Sequence, residues 1–459
     1  MGKSVVADEQ LWSYCKQYSP AKGYVIGLVL GQCSKAIDYV VHLARIPPPD
    51  SSKDEKDDEQ KPKTAKGLLL PEIKESWVAN HACDVTRMLP GGMWVLGLFL
   101  IGQNDPFESQ QNASRLRSIL RHVRTELQKN SLYGDSPSSE KLILHLNIQK
   151  NLVACRSVDL DGSGIRPIDW KFQKNPVVWN QIECILDLNY VKHLSQEESS
   201  KQLRNQLEAL VKAVNGQINE SVCTLSDELM DPEDLVENIF KNQKGKSSKK
   251  KNAKGSGDEP YILSASLYMP MVGGVDIKTP SGVKLNKGAG IMNFTGSPVS
   301  RVFVHQKATV DEACKAVKQD IMRSIATRLH MHADSLVEED PPEDQETLHD
   351  PPRRVMIKLP STNVTFSDYI FPGEGPEEAL VSAEELLDLK LELEDVEKDV
   401  EISADSGVGL EWSGIEPSDK SRLDAAPSQE KTSYVIFICI GALVAALIAI
   451  LLQLLSSSK

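Results

Sequence analysis

Apolar residues recur along this chain in short, separable runs, and their spacing predicts the elements. Residues 23–46, GYVIGLVLGQCSKAIDYVVHLARI, contain two such runs broken at Gly31-Gln32. Both are short and the first is rich in β-branched residues, which predicts paired strands. Residues 77–89 have helical apolar spacing, closed by Pro90-Gly91-Gly92. The run MWVLGLFLI at 93–101 predicts a strand buried on both faces. Within 112–130, Leu116, Ile119, Leu120, Val123 and Leu127 share one helix face, and Arg115, Arg117, Arg121 and Arg124 fall largely outside it as a solvated side. Strand-like runs follow at 141–148, 152–158, 168–172 and 177–188, then a mainly helical stretch at 197–225. Further strands are predicted at 261–269 and 299–306, and a helix at 310–332 with Ala313, Val317, Ile321 and Ile325 on its stripe. Residues 386–400 fit both periods: Leu387, Leu389, Leu391 and Leu393 alternate, whereas Leu386, Leu389, Leu393, Val396 and Val400 have helical spacing.

These runs, spread over 459 residues, predict an α/β (α+β) protein with a mixed sheet and flanking helices. The expected organisation is a first domain at 1–235 with a charged loop at 47–66, and a Lys-rich disordered linker at 236–258. A second strand-helix unit at 259–333, an acidic and largely disordered tether at 334–433, and a membrane helix at 434–455 complete it. The charge distribution supports the tether. Lys+Arg number 52 against 65 Asp+Glu, a net of −13, and 12 acids against 2 lysines lie between Glu374 and Glu401. A negative total argues against a duplex nucleic-acid binder, which needs a concentrated basic surface. The lysine tract at 241–254 lacks interleaved aromatics for base stacking.

The segment bounded by Tyr434 and Leu455 holds one amide, Gln453, and no charge. At ~1.5 Å per residue it is long enough for a hydrocarbon core of about 30 Å. Residues 1–19 carry no apolar stretch of signal-peptide length, so a tail anchor is expected, with residues 1–433 cytosolic. The sequons at Asn112, Asn219, Asn293 and Asn363 are then unused.

Candidate chemistry is sparse. Eight cysteines contain no CxxC pair, which fits reduced thiols and no disulfide framework. Asp159 to Gly164 opens like a calcium loop, but Trp170 stands where a bidentate Glu is required, so a turn is expected. His330-Met331-His332 resembles a zinc pair, but the acid eleven residues on is Glu343 where Asp is needed; two exposed histidines ending a helix are expected.

Residues 23–31, GYVIGLVLG, and 88–99, MLPGGMWVLGLF, resemble the MPN-type α/β domain. Laying Gly97 on that family's conserved-motif glycine puts Leu100, Ile101 and Gly102 where His-Ser-His binds zinc in its active members. The resemblance therefore implies a metal-free pseudoenzyme, with no catalytic residue, no metal and no cofactor. The layout of HACDVTRMLPGG at 81–92, lysine linker, acidic tail and terminal anchor is similar to the Odr-four homologue family. That resemblance implies a tail-anchored, single-pass protein of the endoplasmic-reticulum membrane. It also implies an adaptor for the ubiquitin-fold-modifier-specific cysteine protease that assists folding or trafficking of client multi-span receptors. The competing expectations are a hydrolase in its own right, of degenerate JAMM or Cys type, and a direct chaperone of client transmembrane helices.

Overall fold

Six of the expected strands and one short amino-terminal segment close into a seven-stranded barrel. The computed structural model describes residues 3–48, 67–129, 133–162, 164–241, 262–270, 288–336 and 348–401. The barrel strands are β1 (Ser4–Asp8), β2 (Tyr24–Gln32), β3 (Ile37–Arg45), β4 (Trp94–Gly102), β5 (Glu140–Asn147), β6 (Leu152–Asp159) and β7 (Ile165–Gln173). They run in the order β1-β3-β2-β4-β5-β6-β7, and β1 pairs in parallel with both β3 and β7. The expected MPN-like mixed sheet with flanking helices is overturned by this closure. Its cause is β1, whose five residues are too few to show a period yet join what would otherwise be two open edges.

Strand side chains alternate between two cores. Val5, Val25, Val29, Leu43, Phe99, Ile101 and Leu144 fill the interior shared by the seven strands. Their neighbours Ile26, Leu28, Leu30, Leu98 and Leu100 face outward into a core built with the helices. Helices α2 (Glu75–Met88) and α3 (Gln110–Lys129) pack here, α3 being the crossover that lets β4 and β5 run parallel. A short helix α1 (Glu9–Cys15) starts at Asp8, whose side chain caps the Gln10 amide.

The remaining strands do not form a separate second unit. β8 (Trp179–Ile185), β10 (Val222–Leu225), β11 (Ile262–Tyr268) and β13 (Val299–His305) make one sheet in the order β10-β11-β8-β13. Residues from both sides of the expected boundary at 235 are thus interleaved. The run predicted at 177–188 holds β8, and β9 (Leu188–Ser195), which pairs with β12 (Gly288–Gly296), is a further strand beyond it. Helices α4 (Leu203–Glu220) and α5 (Val310–Ser335) cover the four-stranded sheet, supplying Leu210, Val214, Val317, Ile321 and Ile325 to its core.

The acidic, disordered tether expected from residue 334 is overturned for residues 348–401. They fold into β14 (Arg353–Lys358), β15 (Thr365–Ile370), helix α6 (Glu377–Leu387) and β16 (Val396–Glu397), with β14 between β15 and β16. Val355, Ile357, Phe366, Ile370, Ala383 and Leu387 are buried in the barrel's outer core. Acidic residues crowd α6 and the segment after it around the buried Ala379, Ala383 and Leu387, so charge density masked the apolar pattern there. Most of the charged loop at 47–66, most of the lysine tract, residues 402–433 and the run between Tyr434 and Leu455 lie outside the described residues. Among the described residues no helix is long and apolar enough to cross a membrane.

Candidate functional site

Leu100, Ile101 and Gly102 occupy the end of β4, inside the fold. Leu100 packs outward among the helices and Ile101 inward with the barrel core, both buried. Gly102 has room for no side chain, since a Cβ there would lie 2.5 Å from the Tyr24 ring. The imidazole at this point comes from β5 instead. His145 Nε2 lies 3.2 Å from the Gly102 carbonyl, and its ring meets Tyr24 edge-on. Burial lowers the His145 pKa, which keeps a neutral ring beside a carbonyl. On a barrel strand these residues serve packing.

A buried polar cluster lies at the seam where the barrel, α5 and β14 meet. The Pro90-Gly91-Gly92 turn ends α2 and launches β4, and α5 presses directly on it. A Cβ on Gly91 would stand 1.9 Å from the Ala316 carbonyl oxygen, so only glycine fits. Gly92 has φ +80°, again a glycine conformation. Its amide donates to Gln319 Oε1 at 2.8 Å, and the Gly91 amide donates to Asp320 Oδ1 at 2.9 Å.

Asp320 has no exposed surface and accepts two bonds from the Arg354 guanidinium, at 2.7 and 2.9 Å. Burial opposes the charge on Arg354, but Asp320 outweighs it and raises the pKa above the usual guanidinium value. Arg323, one turn along α5, is also buried and donates to the carbonyls of Leu89, Pro90 and Tyr133 at 2.7–3.1 Å. Burial pulls its pKa down to about 10. From the barrel side, Gln32 accepts from the His305 amide and donates to the Gly92 and Phe303 carbonyls. Glu401 completes the seam, accepting from Arg328 at 2.9 and 3.0 Å and from the Val299 and Arg354 amides.

A second fastening holds α6 on the barrel. Its last turn ends at Asp388, which has left-handed backbone (φ 56°). The Asp388 carboxylate accepts from Arg45 at 2.8 Å, from Tyr14 at 2.6 Å and from Tyr18. His42 Nε2 lies 2.8 Å from the Leu387 carbonyl.

The other sequence candidates are committed elsewhere. Arg115 reaches Glu75, Arg121 the Leu160 carbonyl, and Arg124 Asp161, so much of the basic side of α3 ties down neighbouring loops. The segment from Asp159 is the turn between β6 and β7, as expected. His330 and His332 are not an exposed pair: His330 bonds the Tyr133 hydroxyl, and the buried His332 lies against His349 at 3.0 Å. Helix α5 extends beyond 332, which turns His332 into the fold. Among the described residues no cluster of three or more His, Cys, Asp or Glu is placed to hold a metal. A cleft of about 170 Å³ opens between β3 and the β14–β15 loop, lined in part by Asp8, Val41, Trp179 and Asn363. It is smaller than typical ligand sites of ~300 Å³ and above. Its polar groups also turn to the chain itself, Asp8 to the Asn175 amide and Asn363 to the Trp179 carbonyl.

Sequence reasoning missed Asp320, Arg323 and Arg354. Asp320 and Arg323 are charged positions beside the apolar stripe of α5, which is the signal that could have marked them.

A family model described as ODR4-like, odorant response abnormal 4-like, matches residues 27–398. "Protein odr-4 homolog" of Homo sapiens is 30% identical over 418 residues, covering 86% of this chain and 86% of the relative. The Drosophila melanogaster protein of the same name is 23% identical over 431 residues, covering 84% and 85%. "Odorant response abnormal protein 4" of Caenorhabditis elegans is 21% identical over 394 residues, covering 83% and 74%. Among solved structures, UfSP from C. elegans aligns with a TM-score of 0.43 and 9% identity, over 85% of this chain and 57% of that one.

Proposed function

The chain belongs to the ODR4-like family, and from that premise we propose that it is a non-enzymatic adaptor of the endoplasmic-reticulum membrane. It recruits the ubiquitin-fold-modifier-specific cysteine protease to that surface and supports folding or trafficking of a subset of multi-span receptors. Residues 434–455 attach it to the bilayer, with the bulk of the chain in the cytosol.

One observation carries the non-enzymatic reading. At the seam the buried Asp320 and Arg354 bond each other, and Asp320, Arg323 and Arg354 bond backbone of three different parts of the fold. Such groups orient a scaffold, whereas catalysis needs a nucleophile or base turned towards an open site. Adaptor action requires only a rigid surface and confinement. Holding the protease on the same membrane as its substrates raises their effective concentration without a new catalytic contact.

Affinity purification of the full chain from detergent-solubilised membranes tests the proposal. The protease should co-purify in stoichiometric amount. Deleting residues 434–459 should leave that association intact while moving both proteins to the soluble fraction. Absence of the protease from the intact complex overturns the adaptor reading, and loss of association on deletion overturns the simple tether.

A further inference from the structure

The seven cysteines among the described residues are all free thiols, and they fall into two classes. Cys15, Cys155 and Cys184 are buried, and burial pushes each thiol up, Cys184 to about 12. Inert core thiols behave this way. Cys223 and Cys314 differ. Both are partly exposed, and they are 91 residues apart in the chain. The fold nevertheless sets them side by side. Cys223 lies on β10, the edge strand of the four-stranded sheet, and Cys314 lies early in α5, which packs across that edge. The Cys314 Sγ–H donates to the Cys223 carbonyl oxygen at 4.0 Å, which sets its sulfur against Cys223, and the Cys223 Sγ–H turns to the Thr224 carbonyl oxygen at 3.9 Å.

A third group defines the site. Lys318, one helical turn beyond Cys314, donates its ammonium to the carbonyls of Ser221 at 2.6 Å and Asn219 at 3.0 Å. That places a fixed positive charge next to the sulfurs, and it favours thiolate on both. Interaction between the neighbouring thiols lowers the Cys314 pKa and raises that of Cys223, which makes Cys314 the readier of the two to ionise. A thiol that ionises readily beside an ammonium, with a second thiol against it, is the arrangement of a redox-responsive pair.

We propose that Cys223 and Cys314 form a reversible oxidation site, closed to a disulfide by a hydroperoxide. The Cys314 thiolate attacks one oxygen of hydrogen peroxide, an S–O bond forms, the O–O bond breaks, and hydroxide leaves. That hydroxide takes the proton released when Cys314 ionised and becomes water. The Cys223 sulfur then attacks the sulfenic sulfur of Cys314. The S–S bond forms, the S–O bond breaks, and the departing hydroxyl leaves as water with the Cys223 proton. Two thiols and one peroxide give one disulfide and two waters, two electrons passing from sulfur to oxygen. The product pins strand β10 to α5, and a cellular dithiol restores the open pair by exchange.

Peroxide treatment of the full chain in detergent, followed by alkylation and peptide mapping without reductant, reads the outcome. The expected result is a Cys223–Cys314 linked peptide that disappears on reduction. Cys223→Ser should stop the reaction at a Cys314 sulfenic acid, trapped by dimedone, and Cys314→Ser should abolish oxidation of Cys223. If both thiols stay alkylatable at a peroxide dose that oxidises Cys33 or Cys83, the proposal is wrong. Linkage of either sulfur to any other cysteine overturns it equally. The map of the unsubstituted protein decides even if a serine variant misfolds.

Discussion

Asp320 joins three parts of the fold through one carboxylate: the Gly91 amide before the barrel strand β4, its own helix, and Arg354 on β14. The desolvation cost of such a buried pair roughly cancels its attraction, so the pair adds little net stability, but breaking it leaves a buried charge alone. Asp320→Asn is therefore expected to cost about 3–5 kcal/mol. Urea unfolding of the purified chain, followed by tryptophan fluorescence, measures this, and a change under about 1 kcal/mol would contradict the role assigned. Nothing in the spacing of the sequence announces that partnership. Asp320 and Arg354 are 34 residues apart, and a charged residue beside an apolar stripe reads locally as the solvent side. The glycines of the Pro90-Gly91-Gly92 turn were visible as a helix stop, but their second task, admitting α5, depends on an element more than two hundred residues away.

At the scale of elements, α6 packs against α2 and β3 beside two neutral imidazoles, His42, whose Nε2 lies 2.8 Å from the Leu387 carbonyl, and the buried His81 of α2. Burial lowers both pKa values, that of His81 to about 4. The unfolded chain takes up this proton near the ordinary value of 6.5, whereas the folded chain resists it. Stability contributed by neutral His81 is therefore complete above about pH 6.5 and drains away as pH falls towards 4. At ~1.4 kcal/mol per pH unit the loss is on the order of 2–3 kcal/mol. His81→Gln should flatten the pH dependence of unfolding between about pH 7 and 5, and parallel slopes for variant and parent would refute the assignment. The helices themselves were legible: α2 and α3 lie within two residues of their expected bounds, because each has one continuous apolar face. α6 was not, since its first residues and the segment after it are crowded with Glu and Asp while only Ala379, Ala383 and Leu387 are buried.

For the whole molecule, closure of the barrel and the return of residues 348–401 onto it are non-local events. β1 closes the ring by meeting β7 more than 150 residues later, which no window of the sequence can display. The carboxy-terminal segment is likewise structural, since Val355, Ile357 and Phe366 are fully buried. Ending the chain after residue 347 should expose this outer core and yield aggregated protein, whereas ending it after 405 should not. Limited proteolysis of the full chain should accordingly leave a resistant core that retains residues 348–401.

The Glu401 clamp has a geometric consequence for any bilayer attachment. Because Arg328 and two backbone amides grip that carboxylate, the body is fixed up to residue 401, and only residues 402–433 separate it from Tyr434. Thirty-two residues at full stretch cover roughly 110 Å. Under the proposed attachment through residues 434–455, that length is the upper bound on the distance from residue 401 to the bilayer, about a third of what a hundred-residue tether would allow.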